Sequence, residues 1–316
     1  MASNYNVDGE KLRFQYKEHI SDFRQWEEEN PHPYVLYKKN IGPYLSIDET
    51  CLSQRELYTI VTNKEGHGKQ GSLVAMVHGT KSEDVISALI KMPRSVRLKV
   101  KEITLDLSPT MRLIAKSCFP NATLVSDRFH VQRLMNEAVS DLRIDYRWQA
   151  IDLENQEAAL AKEVGQKHTA HTFKNGDTRK QLLARSRHVI LKHFSKWTPS
   201  QAERAEILFL EYPAIEEAYR VSMELTQIYN TTTDKGVALS RLARWYNKVE
   251  ALNLKFFKSV IETMQNNYAT IVNYFDNRST NASAESFNAK VKAFRSQFRG
   301  VRDIPFFIFR LTKLFA

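Results

Sequence analysis

The sequence predicts an α/β protein with one mixed sheet, joined to a large block that is wholly helical. Three observations carry this. Residues 44–79 hold three short apolar runs, YLSID (44–48), LYTIVT (57–62) and LVAMVHG (73–79), with turn signals between them. Residues 102–127 hold two more, EITLDL (102–107) and ATLVSD (122–127), which alternate with helix-like segments. From about 152 to 276 strand signals vanish and heptad-like apolar spacing takes over, as in AEILFLEYPAIEEAYRVSMEL.

Taken in order, residues 9–28 read as a helix that ends in the acidic EEEN and the breaker PHP at 31–33. The loop NKEGHGKQG between the second and third runs has three glycines and suits an antiparallel connection. Thr80 and Glu83 have capping-box spacing for a helix through about Met92. In SPTMRLIAKSC, Ser108 is placed to cap a helix with Pro109 at its first position. A further helix is expected from about Phe129 to Ile151. Pro199, Pro213 and NGD at 175–177 mark joints within the helical block.

Three strands, helix, strand, helix, strand, helix is the order of an RNase H-like core, with antiparallel strands first and parallel ones later. In that order the first and fourth strands are neighbours at the centre of the sheet. The expected domains are an N-terminal helical segment and linker (1–40), the first part of the core (41–151), an all-helical insertion (152–276) and a final core helix (277–316).

The 316 residues are 42% hydrophobic, with no apolar run long enough for a membrane span. The N-terminal stretch lacks the apolar core of a signal peptide, and two cysteines make neither a disulfide framework nor a zinc site. A cytoplasmic setting follows. The net charge of +10 favours a polyanionic partner. It is concentrated in 178–197, which carries Arg179, Lys180, Arg185 and Arg187, and in 290–302, which carries Lys290, Lys292, Arg295 and Arg299; neither run contains an acid.

Two acids stand at strand ends, Asp48 in SIDE and Asp106 in LDLSP. On neighbouring strands their carboxylates lie side by side. A third, Glu285, sits in STNASAESFNAKVKAF (279–294). As a helix, that stretch puts Asn281, Glu285, Asn288 and Lys292 on one stripe and Phe287, Val291, Phe294 and Phe298 on the opposite side. Three converging carboxylates repel one another unless a polyvalent cation joins them, and hard oxygen ligands suit Mg²⁺ or Mn²⁺, with two ions serving phosphodiester displacement. Glu49 is a decoy for Asp48, since strand alternation sends it to the other face. Asp127 and His130, in SDRFHV, form a further feature at the end of the fifth strand, with Arg128 between them. Trp197, Arg241, Arg244 and Trp245 are candidates for stacking on an unpaired base, against a structural role in a helical core.

SIDE, LDLSPTMRLIAKSCFPNATLVSDRFHV and NRSTNASAESFNAKVKAFR together resemble the DDE transposases of bacterial insertion sequences, specifically the ISL-three group. The resemblance spans roughly residues 40–316. It implies an RNase H-like fold with a helical insertion between the second Asp and the Glu, and an acidic triad of Asp48, Asp106 and Glu285. The family's Asp/Cys-x-x-His motif falls on Asp127 and His130, and its basic residue seven positions after the Glu falls on Lys292. It implies metal-dependent cleavage at transposon ends, attack of the freed 3′-hydroxyl on target DNA, and a bacterial, nucleoid-associated setting. Double-stranded DNA is then the partner, in a complex of at least two copies. Members usually begin with a cysteine-rich segment and a helix-turn-helix; only about 40 residues precede the core here and no C-x-x-C occurs, which points first to a separately encoded N-terminal DNA-binding protein as a partner, with truncation of a longer gene as the other explanation. Two other readings stay open: an inactive, transposase-derived DNA-binding or regulatory protein, and another RNase H-like nuclease.

Overall fold

A computed structural model describes residues 8–31, 33–53, 56–280, 282–297 and 303–316. The chain divides into two compact units, the first formed by residues up to Asp127 together with Ser279–Ala316, the second by Arg128–Arg278.

The first unit begins with α1 (Gly9–Gln15), a π-helical turn, and α2 (Phe23–Glu29). The expected single helix over 9–28 is broken at Ser21, which is extended. Its hydroxyl accepts from the Phe23 backbone N–H, so the side chain competes with the helical ladder, as serine commonly does. The sheet follows: β1 (Tyr34–Leu36), β2 (Tyr44–Ser53), β3 (Glu56–Asn63), β4 (Leu73–His78), then α3 (Ser82–Leu89), the short α4 (Arg94–Arg97), β5 (Glu102–Leu105), α5 (Pro109–Cys118) and β6 (Thr123–Ser126). The strand order is β1-β4-β3-β2-β5-β6, with β2, β3 and β4 antiparallel and β5 and β6 parallel to β2. The five expected strands thus pair as predicted, and β2 and β5 are neighbours. β1 is an addition at the edge. Three residues cannot display a period of two, so this strand has no sequence signal.

Ser108 caps α5 through the Met111 N–H, with Pro109 in the first turn. The α3 cap falls on Lys81 rather than Thr80, because sheet pairing continues past β4 as the Gly79 N–H donates to Leu57. One face of the sheet packs Leu45, Ile47, Ile103 and Leu105 against Val85, Leu89, Met111 and Ile114 from α3 and α5. The opposite face is covered by the last two helices of the chain. Cys118 is wholly buried, and burial pushes its thiol up to about 11 despite nearby Arg97, whereas Cys51 is exposed. One thiol per folded chain should therefore react quickly with a thiol reagent, and the second only in denaturant; two fast thiols would contradict this packing.

The second unit is all-helical: α6 (Arg128–Glu163), α7 (Arg179–Arg185), α8 (Pro199–Glu211), α9 (Pro213–Thr231), α10 (Lys235–Ala251), α11 (Lys258–Asn266) and α12 (Tyr268–Asn277). Pro199 and Pro213 open α8 and α9, where a missing N–H costs nothing. The helix expected to stop near Ile151 runs unbroken to Glu163 and belongs wholly to this unit. The composition shift near 152 marks where α6 leaves the packed centre, not an element boundary. Its buried stripe, Val131, Met135, Ala138, Val139 and Leu142, lies almost entirely in the first half. At the other end Arg278 takes a left-handed conformation that ends α12, held by donation from its guanidinium to the carbonyls of Thr232 and Tyr229.

The chain then returns to the first unit as α13 (Ala282–Gln297) and α14 (Ile304–Phe315). Phe287 and Val291 from α13 and Phe307, Leu311 and Phe315 from α14 pack on Leu52, Tyr58, Ile60, Leu73 and Met76 of the sheet. Asp303 caps α14 and pairs with Lys17 at 2.6 Å, while Phe23 of α2 packs among Phe306 and Phe309. The N-terminal segment is therefore part of the first unit's core.

Candidate active site

The parallel pairing of β2 with β5 sets Tyr44, Leu45 and Ser46 opposite Glu102, Ile103 and Thr104. Continuing two residues along each chain brings Asp48 level with Asp106. Neighbouring strands are about 4.8 Å apart and level residues of parallel strands share a face, so the two acids project side by side. Each is half-buried and held by backbone. Asp106, just past β5, accepts the Ser108 N–H at 2.8 Å, the turn that feeds α5. Asp48 accepts its neighbour Glu49's N–H at 2.8 Å with one oxygen and the Asn288 side-chain amide at 2.6 Å with the other.

That last bond ties α13 to the acids. Asn288 lies on the stripe expected to carry chemistry, while Phe287 and Val291 bury the opposite side, as the spacing predicted. Glu285 occupies the first turn of α13 and is exposed. It precedes Asn288 by three residues, a separation that sets side chains about 5–6 Å apart at Cβ. Lys292 follows on the same stripe and is exposed. Asn281 and Arg299 lie outside the described residues. Among the described residues no three His, Cys, Asp or Glu side chains lie close enough to hold a metal ion. The donor set nevertheless has the right chemistry for a hard cation: two carboxylates fixed by backbone on adjacent strands, with a third on the adjoining helix.

Glu49 is less remote than alternation suggested. Its side chain is exposed, yet partial desolvation and then the charges of Asp106 and Asp48 hold its carboxyl above the usual range. The acids thus form a local negative field that Glu49 feels from beside it.

Beneath the acids is a network that sequence reasoning missed. Lys64, at the end of β3, donates to Glu102 at 3.1 Å and to the hydroxyls of Thr104 and Ser279, and Ser279 also donates to Glu102. Burial lowers the Lys64 pKa, opposed by Glu102 and then Asp127. A lysine in a glycine-rich loop reads as solvated, so nothing local predicts its burial. The same loop meets α13 again where Lys290 donates to the Gly68 carbonyl at 2.6 Å. Gly68 has φ of +66°, and a Cβ there would come within 3.1 Å of the Lys290 ammonium.

The remaining candidates divide. Asp127 closes β6 and is buried, its N–H donating to Leu105. His130 stands in the first turn of α6, half-buried with its ring edge-on to Phe129. Arg128 is engaged within the second unit by Asn230 and Tyr274. Arg295 reaches the Cys51 carbonyl at 3.3 Å. The basic run at 178–197 has no acid in sequence but finds three in space. Arg179 faces Glu157 at 4.0 Å, Lys180 pairs with Glu154 at 2.6 Å, and Arg185 and Arg204 both bind buried Asp177. Burial raises the Asp177 carboxyl, but those two arginines outweigh it and the net shift is downward. Arg187, in the same run, is exposed.

The two candidate tryptophans are both held by backbone carbonyls. Trp245 is wholly buried and donates to the Val221 carbonyl at 2.8 Å, and Trp197 donates to Val189 at 3.0 Å. Arg241 donates to Thr231 and Thr232, while Arg244 is exposed. Trp245→Ala should cost about 3–5 kcal/mol in urea unfolding, the usual range for a large core deletion. A loss below about 1 kcal/mol would contradict its place in the core.

No curated protein and no solved structure gives a significant match to this chain. The DDE_Tnp_ISL3 family model, described as a transposase, matches residues 45–311, from the strand of Asp48 through most of α14. By that match over nearly its whole length, the chain belongs to the ISL3 transposase family.

Proposed function

We propose that the protein is a DNA transposase with an RNase H-like catalytic unit, and that Asp48, Asp106 and Glu285 form its metal-binding triad. One observation supports this above the rest: two acids level on adjacent parallel strands, one of them hydrogen-bonded by the helix that carries the third. Strand order and direction in the first unit, with helices returning after a helical insertion, agree with this reading.

Mg²⁺ or Mn²⁺, bound as two ions, would supply activation of a water or 3′-hydroxyl and stabilisation of the leaving oxygen. The chain's own part is positional. The Ser108 N–H and the Glu49 N–H fix Asp106 and Asp48 in place. Asn288 orients Asp48, so movement of α13 changes two acids together. Glu285 enters from that helix, and Lys292, two turns on, is placed to meet a phosphate. Double-stranded DNA is the substrate, and two ends require at least two copies of the chain. Among the described residues no helix is long and apolar enough to cross a membrane.

An assay of product class tests the reading. With the element's terminal repeats, an added target duplex and Mg²⁺ or Mn²⁺, a transposase gives joined strands. Cuts without joining would indicate a nuclease instead, and tight binding without cutting an inactive DNA-binding protein.

A further inference from the structure

The second unit has a cleft of about 610 Å³ between the first half of α6 and the 187–191 segment, lined by Gln132, Asn136, Ser140, Arg143 and Arg187 among others. Arg143 is its unusual member. The residue is 6% exposed, and its guanidinium donates from Nη1 to the Leu183 carbonyl at 2.8 Å. Its Nε is buried with no hydrogen-bond partner among the described residues.

No acid among the described residues balances this charge. Burial first, and then the like charges of Arg147 and Arg187, hold the Arg143 pKa below its ordinary value, with no carboxylate acting in the other direction. Glu137 borders the cleft but is paired with Arg133 at 2.7 Å. A guanidinium does not escape by losing its proton, and a buried charge without a partner is costly. The natural remedy is an anion from outside.

The neighbouring donors suit an oxyanion. Gln132, Asn136, Ser140, Arg143 and Arg147 follow at helical spacing along one stripe of α6. The Asn136 carbonyl oxygen already accepts from Gln132 and Ser222, which leaves its amide N–H groups available beside the Ser140 hydroxyl. Arg187 approaches from the other wall. Donors arriving from separate directions fit a tetrahedral phosphate better than a planar carboxylate, and arginine is the side chain best shaped to hold it.

We propose that this cleft binds a phosphodiester of the DNA backbone, gripped by Arg143 and Arg187 with Asn136 and Ser140 completing the cradle. That DNA supplies the phosphate rests on the transposase reading; the oxyanion pocket does not. The site is distant in sequence from the acidic residues and gives the insertion a direct role in holding substrate.

The test uses the full chain carrying Asp48→Ala, so that DNA binding is read without turnover. Arg187→Ala, at an exposed position, and Arg143→Met are compared with it by anisotropy of a labelled duplex over a range of salt. Each variant should bind more weakly, and each phosphate-binding arginine removed should reduce the salt slope by about 1. Millimolar inorganic phosphate, against chloride at matched ionic strength, should raise the melting temperature of the parent and not of Arg143→Met. Folded variants with unchanged affinity and slope would overturn the proposal. Stabilisation by phosphate with an unchanged DNA slope would overturn DNA as the source, and stabilisation by an oligoglutamate peptide alone would assign the cleft to an acidic protein partner. Failure of the wild-type chain to join strands, with these slope changes intact, would count against the transposase reading and leave the pocket standing.

Discussion

Asp48→Ala or Asp106→Ala reduces end cleavage by at least about a hundredfold while duplex affinity changes by no more than about twofold. The expectation follows from position. Both acids sit at the same level of neighbouring strands, and each accepts a backbone N–H. Neither is a packing residue, so losing one leaves the sheet intact and removes a charge from a site built around charge. Asn288→Ala should lie between these variants and the wild type, with cleavage lower by about 10–100-fold, because it removes only the group that orients Asp48. Single-turnover cleavage and anisotropy, measured on the same preparations, separate the two effects. A fully active Asp106→Ala would remove that residue from the chemistry.

Lys64→Met should lose about 3–5 kcal/mol in urea unfolding, as much as the deletion of the Trp245 ring. The substitution removes the ammonium that pairs with Glu102, whose side chain is 5% exposed. Lys64→Met combined with Glu102→Gln should recover part of the loss, since the second change removes the stranded charge. The network also has a local consequence. Lys64 and Glu102 hold Ser279, six residues before Glu285, at the point where the chain returns to the first unit. Amide exchange in 282–297 should quicken in Lys64→Met before the strands lose protection. Equal quickening in β2 and β5 would show general loosening instead of release of α13.

The strands and their order were legible because each of the five long enough to show a pattern did so, and because Ser108-Pro109, Pro199 and Pro213 announced helix starts. The candidate acidic pair was legible for a related reason: strand ends are marked by the turns that follow, and both acids stand there. The failures have physical causes too. Ser21 interrupts a helix through its own hydroxyl, which apolar spacing does not register. The basic run at 178–197 looked unneutralised because its acids, Glu154, Glu157 and Asp177, are elsewhere in the chain or just before it. Buried Lys64 and Arg143 were invisible for the opposite reason. A charged residue reads as exposed until tertiary structure closes over it, and these two became informative only with their surroundings in place.

If the acid on α13 works with the two on the sheet, strand transfer should fail in Glu285→Ala. Wild-type protein, pre-cut transposon ends with free 3′-hydroxyls, target duplex and Mn²⁺ should yield joined product. Glu285→Ala should bind the same ends with unchanged affinity and yield none. Joined product at the wild-type rate from Glu285→Ala would contradict the triad and leave Asp48 and Asp106 to be explained without it.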